Sequence, residues 1–206
     1  VEESELSNSS RFSTTQEDTC IRYKFLHDQI QQAAYSLIPE DQKIVTHLTI
    51  GQLLLQDTPE SKREDKLFEI ANQLNLGSSL IVYEKEQQEL IHLNFLAGQK
   101  AKQSTAYLTA VDYFNLALKM LKADCWTTQY DLTLALHTEA AEAAYLSGHF
   151  EQMESLADQV LLHATTLLDR VKVYQTKLEA CKSQGRRQEA VTIGLEVLKL
   201  LGVELP

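Results

Sequence analysis

The 206-residue sequence has few residues that break helices or form tight turns. It contains 7 glycines and 3 prolines, and the glycines are scattered singly. Strand-rich folds need turn residues between their strands, and a phosphate-binding loop needs several glycines close together. The scarcity therefore argues against a β fold and excludes a glycine-rich nucleotide cradle.

Cysteine and histidine offer no metal-binding or disulfide pattern. The 3 cysteines are an odd number, lie far apart and form no C-x-x-C pair. This usage is typical of a protein from a reducing compartment. None of the histidines from His47 onward stands three or four residues from another histidine or a cysteine, the spacing of metal ligands on a helix. The motifs of zinc proteases and serine hydrolases are missing as well. We therefore expect no cofactor, no metal and no catalytic residue.

Basic residues are also scarce. Lysine and arginine total 19 against 29 acidic residues, a formal charge of −10 that repels phosphate backbones and anionic lipid. No apolar run approaches the ~18 residues of a membrane helix. We expect no nucleic-acid partner, no membrane partner and a cytoplasmic location. The first residue is Val1 rather than methionine, so we expect a piece of something longer.

The apolar residues that are present recur mainly at helical spacing, which predicts an all-α protein. An alternating pattern at Ile21, Tyr23 and Phe25 is the exception and predicts one short strand. We expect a flexible tail at 1–18, a strand and helix at 19–39 and a helical domain at 40–206. The periodicity places nine helices at about 26–38, 41–57, 61–76, 84–103, 106–122, 128–147, 150–164, 168–184 and 187–201.

Three helix pairs in the second half of the sequence repeat one another. Their turns fall at Thr105, Gly148 and Gly185, which are 43 and 37 residues apart. Small or apolar residues stand at equivalent positions around each turn, as in a tetratricopeptide repeat. They are Gly98, Ala110, Phe114 and Ala117, then Ala141, Met153, Ala157 and Val160, then Leu178, Ala190, Gly194 and Val197. The pattern predicts an α/α superhelix of tetratricopeptide-like hairpins, each buried against the next.

The first helix of each hairpin lines the inner wall of such a superhelix. By register, the side chains that these helices present on the inner wall are His92, Phe95, Gln99 and Lys102, then Ala135, Thr138, Glu142 and Tyr145, then Lys172, Gln175, Glu179 and Lys182. One interpretation is a groove that binds a protein or peptide segment. The alternative is an ordinary solvated face, in which case the domain is a passive spacer.

A second functional hypothesis comes from His27 and Asp28. A histidine followed by an aspartate, with Gln32 five residues after the histidine, is similar to the phosphoacceptor box of one histidine-kinase class. There the acid orients the imidazole for nucleophilic attack on a γ-phosphate. The simpler interpretation is a structural pair at the junction between the strand and the first helix.

Several segments in order resemble one family: residues 23–39, 47–55, 67–77, 93–102 and 130–137. The family is the helical region that follows the AAA/STAND-type ATPase module in large bacterial, often cyanobacterial, multi-sensor serine/threonine and histidine signalling kinases. The resemblance covers residues 19–206. It implies that 19–39 is the end of a winged-helix subdomain, that no catalytic residue lies in this segment, and that the helices couple the ATPase switch to sensor and kinase modules. Their partners, in cis or in trans, would be protein segments.

Overall fold

The computed structural model describes residues 28–203, and every regular element in that range is helical. The all-α class is thereby confirmed for the described residues. The predicted tail, the strand and His27 lie outside them. Contacts divide the chain into two compact units, residues 1–43 and 44–206. None of the described helices is both long enough and apolar enough to cross a bilayer.

Eleven α-helices follow one another in the described residues, with a single 3₁₀ turn at Ser78–Leu80. The helices are α1 Asp28–Ser36, α2 Glu40–Asp57, α3 Glu60–Arg63, α4 Leu67–Leu76, α5 Glu84–Gln103, α6 Tyr107–Met120, α7 Cys125–Thr128, α8 Tyr130–Leu146, α9 Phe150–His163, α10 Leu167–Ser183 and α11 Arg187–Leu200.

Two of the predicted helices are wrong in extent. The helix expected at 61–76 is broken between α3 and α4, where a run of charged residues ends at Lys66 and α4 begins by burying Leu67. The helix expected at 128–147 is preceded by the separate turn α7. Thr127 and Thr128 each donate a side-chain hydrogen bond to the carbonyl of Asp124, at 2.8 and 3.0 Å. Such local bonds compete with helix continuation.

The hairpins α5–α6, α8–α9 and α10–α11 are joined by the same turn. Its central residue has a left-handed backbone, with φ of 60° at Thr105, 82° at Gly148 and 72° at Gly185. The next amide donates to the carbonyl five residues earlier: Ala106 to Ala101, His149 to Ala144 and Arg186 to Cys181, at 2.9, 2.8 and 2.8 Å. This is the Schellman geometry that ends helices. The predicted equivalence of the three turns is confirmed.

Small residues let the helices of the first two hairpins approach closely. A Cβ added at Gly98 would lie 2.5 Å from the ring of Phe114, so α5 and α6 fit together only with glycine at this position. In α8–α9 the equivalent positions are held by Ala141 and Ala157, both fully buried. The two hairpins share one continuous hydrophobic core.

The third hairpin departs from this pattern. Tyr174, Cys181 and Ile193 form a small cluster of their own, with Leu178 and other half-buried residues around it. A Cβ at Gly194 would meet no atom within 4 Å. Gly194 aligns with the buried Phe114 and Ala157 but is not at a close helix contact, because no other described helix packs on α11 at that position.

Polar side chains fix α4 against the first hairpin. Asn75 and the fully buried Asn94 exchange two amide hydrogen bonds of 2.8 Å. The hydroxyl of Tyr113 donates to Asn72 at 2.7 Å. Each buried polar group is thus paired across the interface, which gives α4 a defined register on α5 and α6.

We expect Thr105→Gly to stabilise the chain by about 0.5–1 kcal/mol, because a β-branched residue is strained at positive φ and this side chain is exposed. The reciprocal change Gly148→Thr should destabilise it by about 1–2 kcal/mol. Urea denaturation of both variants measures the two effects. Loss of stability in Thr105→Gly, or no loss of stability in Gly148→Thr, would contradict the assignment of strain to this turn.

Candidate functional site

Three of the predicted inner-wall residues meet in a charge network that links the first helices of the three hairpins. Lys102 on α5 and Lys172 on α10 both reach α8, where Glu142 lies 2.5 Å from Lys102 and 3.1 Å from Lys172. A fourth member, Glu139, pairs with Lys172 at 2.5 Å and also with Lys102. Two lysines and two glutamates therefore bridge α5, α8 and α10.

The pairing outweighs the cost of burying these charges. Burial alone would raise the pKa of Glu142, but the hydrogen bonds from Lys102 and Lys172 hold its pKa below the usual range. Burial alone would lower the pKa of Lys172, but its bonds to Glu139 and Glu142 raise it. Two carboxylates thus face two ammonium groups, and their formal charges balance in the middle of this face.

The register prediction did not include Glu139. It lies one turn before Glu142 on the same face of α8, the spacing at which helix side chains are neighbours. Its side chain is only 15% exposed, like that of Lys102 at 16%. The sequence did contain a signal for Glu139: two carboxylates one turn apart on α8, with a lysine on α5 and a lysine on α10 available to pair with them.

Other predicted inner-wall residues contribute to packing. Thr138 is buried, Ala135 is half-buried, and half-buried Phe95 packs on Phe114 with ring centroids 6.2 Å apart. Tyr145 contacts Phe150 at the hairpin turn, with ring centroids 6.4 Å apart.

The remaining predicted side chains lie at the two ends of the face. Gln175 is exposed on α10, and Glu179 and Lys182 form an exposed pair of 2.8 Å on the same helix. His92 and Gln99 lie on α5, at the other end.

His92 and Gln99 line a cleft of about 430 Å³. This leucine cleft lies between α3 and α5, and its lining comprises Leu55, Glu60, Arg63, Glu64, Leu67, Glu89, His92, Leu93, Leu96, Gln99, Lys100 and Gln103. A smaller cavity of about 270 Å³ adjoins it and shares Leu55, Arg63 and Glu89. The leucine cleft lies within residues 44–206 and combines four leucines with charged and polar side chains.

Two histidine rings pack on the single tryptophan of the chain. Trp126 stacks on His163 with centroids 4.7 Å apart and contacts His137 at 4.8 Å. The Nδ1 atom of His137 lies 2.8 Å from the carbonyl of Thr133, which it reaches as an N–H donor. Burial lowers the pKa of His137 below its ordinary 6.5, and the nearby His163 adds to the effect.

The described residues contain no cluster of three or more histidine, cysteine or acidic side chains placed to hold a metal ion. Cys181 is fully buried, and burial raises the pKa of its thiol. A buried, protonated thiol is a poor nucleophile.

Comparison with known proteins gives one informative similarity. The chain is 29% identical over 209 residues to the hybrid signal transduction histidine kinase G of Dictyostelium discoideum. The match covers 90% of this chain and 6% of that protein. No family model matches the chain, and no solved structure matches it. The sequence is thus similar to a short segment of a very large signalling kinase.

We expect Glu139→Gln to destabilise the chain by about 1–3 kcal/mol, because it leaves the half-buried Lys102 and its neighbour Lys172 with one carboxylate between them. The exposed pair offers a matched control, since Glu179→Gln should change stability by less than about 0.5 kcal/mol. Chemical denaturation measures both. Equal losses would show that the network adds no more than a surface pair.

Acid should destabilise the chain through His137. Its folded pKa is below that of the unfolded chain, so the unfolded state takes up a proton first as the pH falls. The stability that neutral His137 contributes is complete above pH 6.5 and is lost as the pH falls through the lowered folded pKa.

His137→Phe keeps the ring contact with Trp126 and removes the titration, so it should flatten this part of the stability curve. Because Trp126 is the single tryptophan, its fluorescence reports unfolding at each pH. His92→Phe, at an exposed position, is the control and should leave the slope as it is. If the free energy of unfolding of His137→Phe falls with pH as steeply as that of the unchanged chain, other groups cause the acid sensitivity.

Proposed function

We propose that this chain is a tetratricopeptide-like helical-repeat segment of a multidomain signal-transduction kinase, and that it works by binding other protein segments rather than by catalysis. Its partners are modules of the same polypeptide or segments of other proteins. In this role the repeats couple an ATPase switch to downstream sensor and kinase modules.

The observation that carries the proposal is the recurrence of one hairpin. Three turns share the left-handed residue and the same hydrogen bond, and ion pairs connect the first helices of all three hairpins. Stacked hairpins bury a continuous core and present their first helices as one extended surface. Such surfaces serve recognition, because side chains from successive repeats are held in a fixed array.

The similarity to a hybrid histidine kinase supports the signalling context. The matched protein is many times longer than this chain, so the matched segment is one part among several. Residues 19–39, which we propose to be the end of a winged-helix subdomain, would place the repeats directly after the ATPase module. The phosphotransfer alternative depends on His27, which lies outside the described residues.

Cross-linking of the intact parent polypeptide tests the proposal. Lys119, Lys182 and Lys199 have exposed side chains on three different helices and accept amine-reactive cross-linkers. We expect cross-links from this set to lysines of the ATPase or kinase modules, and a change in their pattern on ATP binding. Lys102, whose side chain is held between Glu139 and Glu142, is the internal control and should react little.

A passive spacer gives the opposite result. Its lysines would cross-link only within residues 1–206, and the pattern would be the same with and without ATP. That outcome would contradict the proposal.

A further inference from the structure

The leucine cleft has an apolar floor flanked by carboxylates. Leu55, Leu67, Leu93 and Leu96 line it: Leu67 and Leu93 are buried, Leu55 is half-buried, and Leu96 is 37% exposed. An apolar surface left open to water in a folded domain is a common feature of interaction sites. A leucine or phenylalanine side chain of a partner would displace water from this floor.

Carboxylates face the cleft from both sides. Glu60 and Glu64 lie on the α3 side and Glu89 on α5. These three glutamates form no ion pair with any other described residue. They contrast with Glu139 and Glu142, whose charges are neutralised by lysines.

The two basic side chains of the cleft are already engaged. Lys100 donates to the main-chain carbonyl of Glu64 at 2.5 Å and lies 5.7 Å from the ring of Phe68. Arg63 Nε lies 3.4 Å from the carbonyl of Thr58. Each makes its hydrogen bond to a main-chain carbonyl rather than to a carboxylate of the walls. Both side chains keep their positive charge, so the lining carries three carboxylates against two cations, an excess of one negative charge, and the carboxylates remain unpaired.

We propose that the leucine cleft binds a protein segment in which large apolar side chains are flanked by lysine or arginine. This inference rests on the proposed function and names the chemistry of the partner. An apolar anchor would fill the floor, and the flanking cations would pair with Glu60, Glu64 and Glu89. Opposite charges across an interface favour encounter and exclude acidic competitors.

Two other occupants fit poorly by charge. Residues 1–18 contain five acidic residues and a single arginine, so this segment of the chain would meet like charge at the walls. A second copy carries the same formal charge of −10 and is repelled in the same way. The charge of the cleft therefore favours a basic segment over residues 1–18 or a second copy of the chain.

Fluorescence anisotropy with a defined probe tests the inference. The probe is a short labelled peptide with two leucines between lysine and arginine residues, and its counterpart has glutamate at every basic position. The chain of residues 1–206 should bind the basic peptide, more weakly in high salt, and should not bind the acidic one.

Matched variants locate the binding. Replacing the three cleft glutamates together, Glu60→Gln, Glu64→Gln and Glu89→Gln, should weaken binding about tenfold. The control triple of Glu69→Gln, Asp112→Asn and Glu151→Gln removes the same charge from exposed positions outside the cleft and should leave the affinity unchanged. Leu96→Asn should also weaken binding, whereas Leu108→Asn, exposed on α6, should not.

Three results would overturn the inference: no binding of the basic peptide, equal binding of the acidic peptide, or equal weakening by the two triple variants. Circular dichroism establishes that each variant is folded, and the glutamate variants alter only exposed side chains. Cross-links to kinase modules in the parent polypeptide would persist if only the cleft inference fails, because the cross-linked lysines lie outside the cleft.

Discussion

The close approach of α5 and α6 is the constraint on which the rest of the structure depends. Glycine at position 98 leaves room for the ring of Phe114, and alanines at 110 and 117 let the two backbones remain in contact along their length. With α5 and α6 fixed, α4 docks through the paired amides of Asn75 and Asn94, and the next hairpin continues the same core. A larger residue at position 98 would separate the helices that hold all of these contacts.

Electrostatics divides the first-helix surface into parts with different properties. In the middle, two lysines and two glutamates neutralise one another and join three helices, so charge there stabilises the fold. In the leucine cleft, carboxylates lie beside apolar side chains and form no ion pair with any cation in the described part of the chain. The same residue type therefore holds the scaffold together in one place and remains available in the other, according to whether a neighbouring helix supplies the opposite charge.

Secondary structure was largely predictable because helical periodicity is a local signal. The nine-helix pattern matched most of the described helices, and the turns at Thr105, Gly148 and Gly185 were identified from spacing alone. The helix breaks at Lys66 and Gln129 were not predicted. The first depends on the burial of Leu67 in the core, and the second on the threonine hydroxyl bonds to the carbonyl of Asp124. Position in the series of hairpins also mattered: Gly194 aligns with the buried Phe114 and Ala157, yet none of the described helices packs against it.

The sequence by itself determined the all-α class, the hairpin turns and the predominance of acidic charge, because each follows from residue type and local spacing. Only the tertiary structure decided which of the predicted inner-wall residues are exposed and which are buried or paired. Register placed Lys102, Thr138 and His92 on equivalent faces, but packing between helices made the first an internal ion pair, the second a buried residue and the third part of an open cleft. Burial and ion pairing depend on neighbours distant in sequence, and no local pattern specifies them.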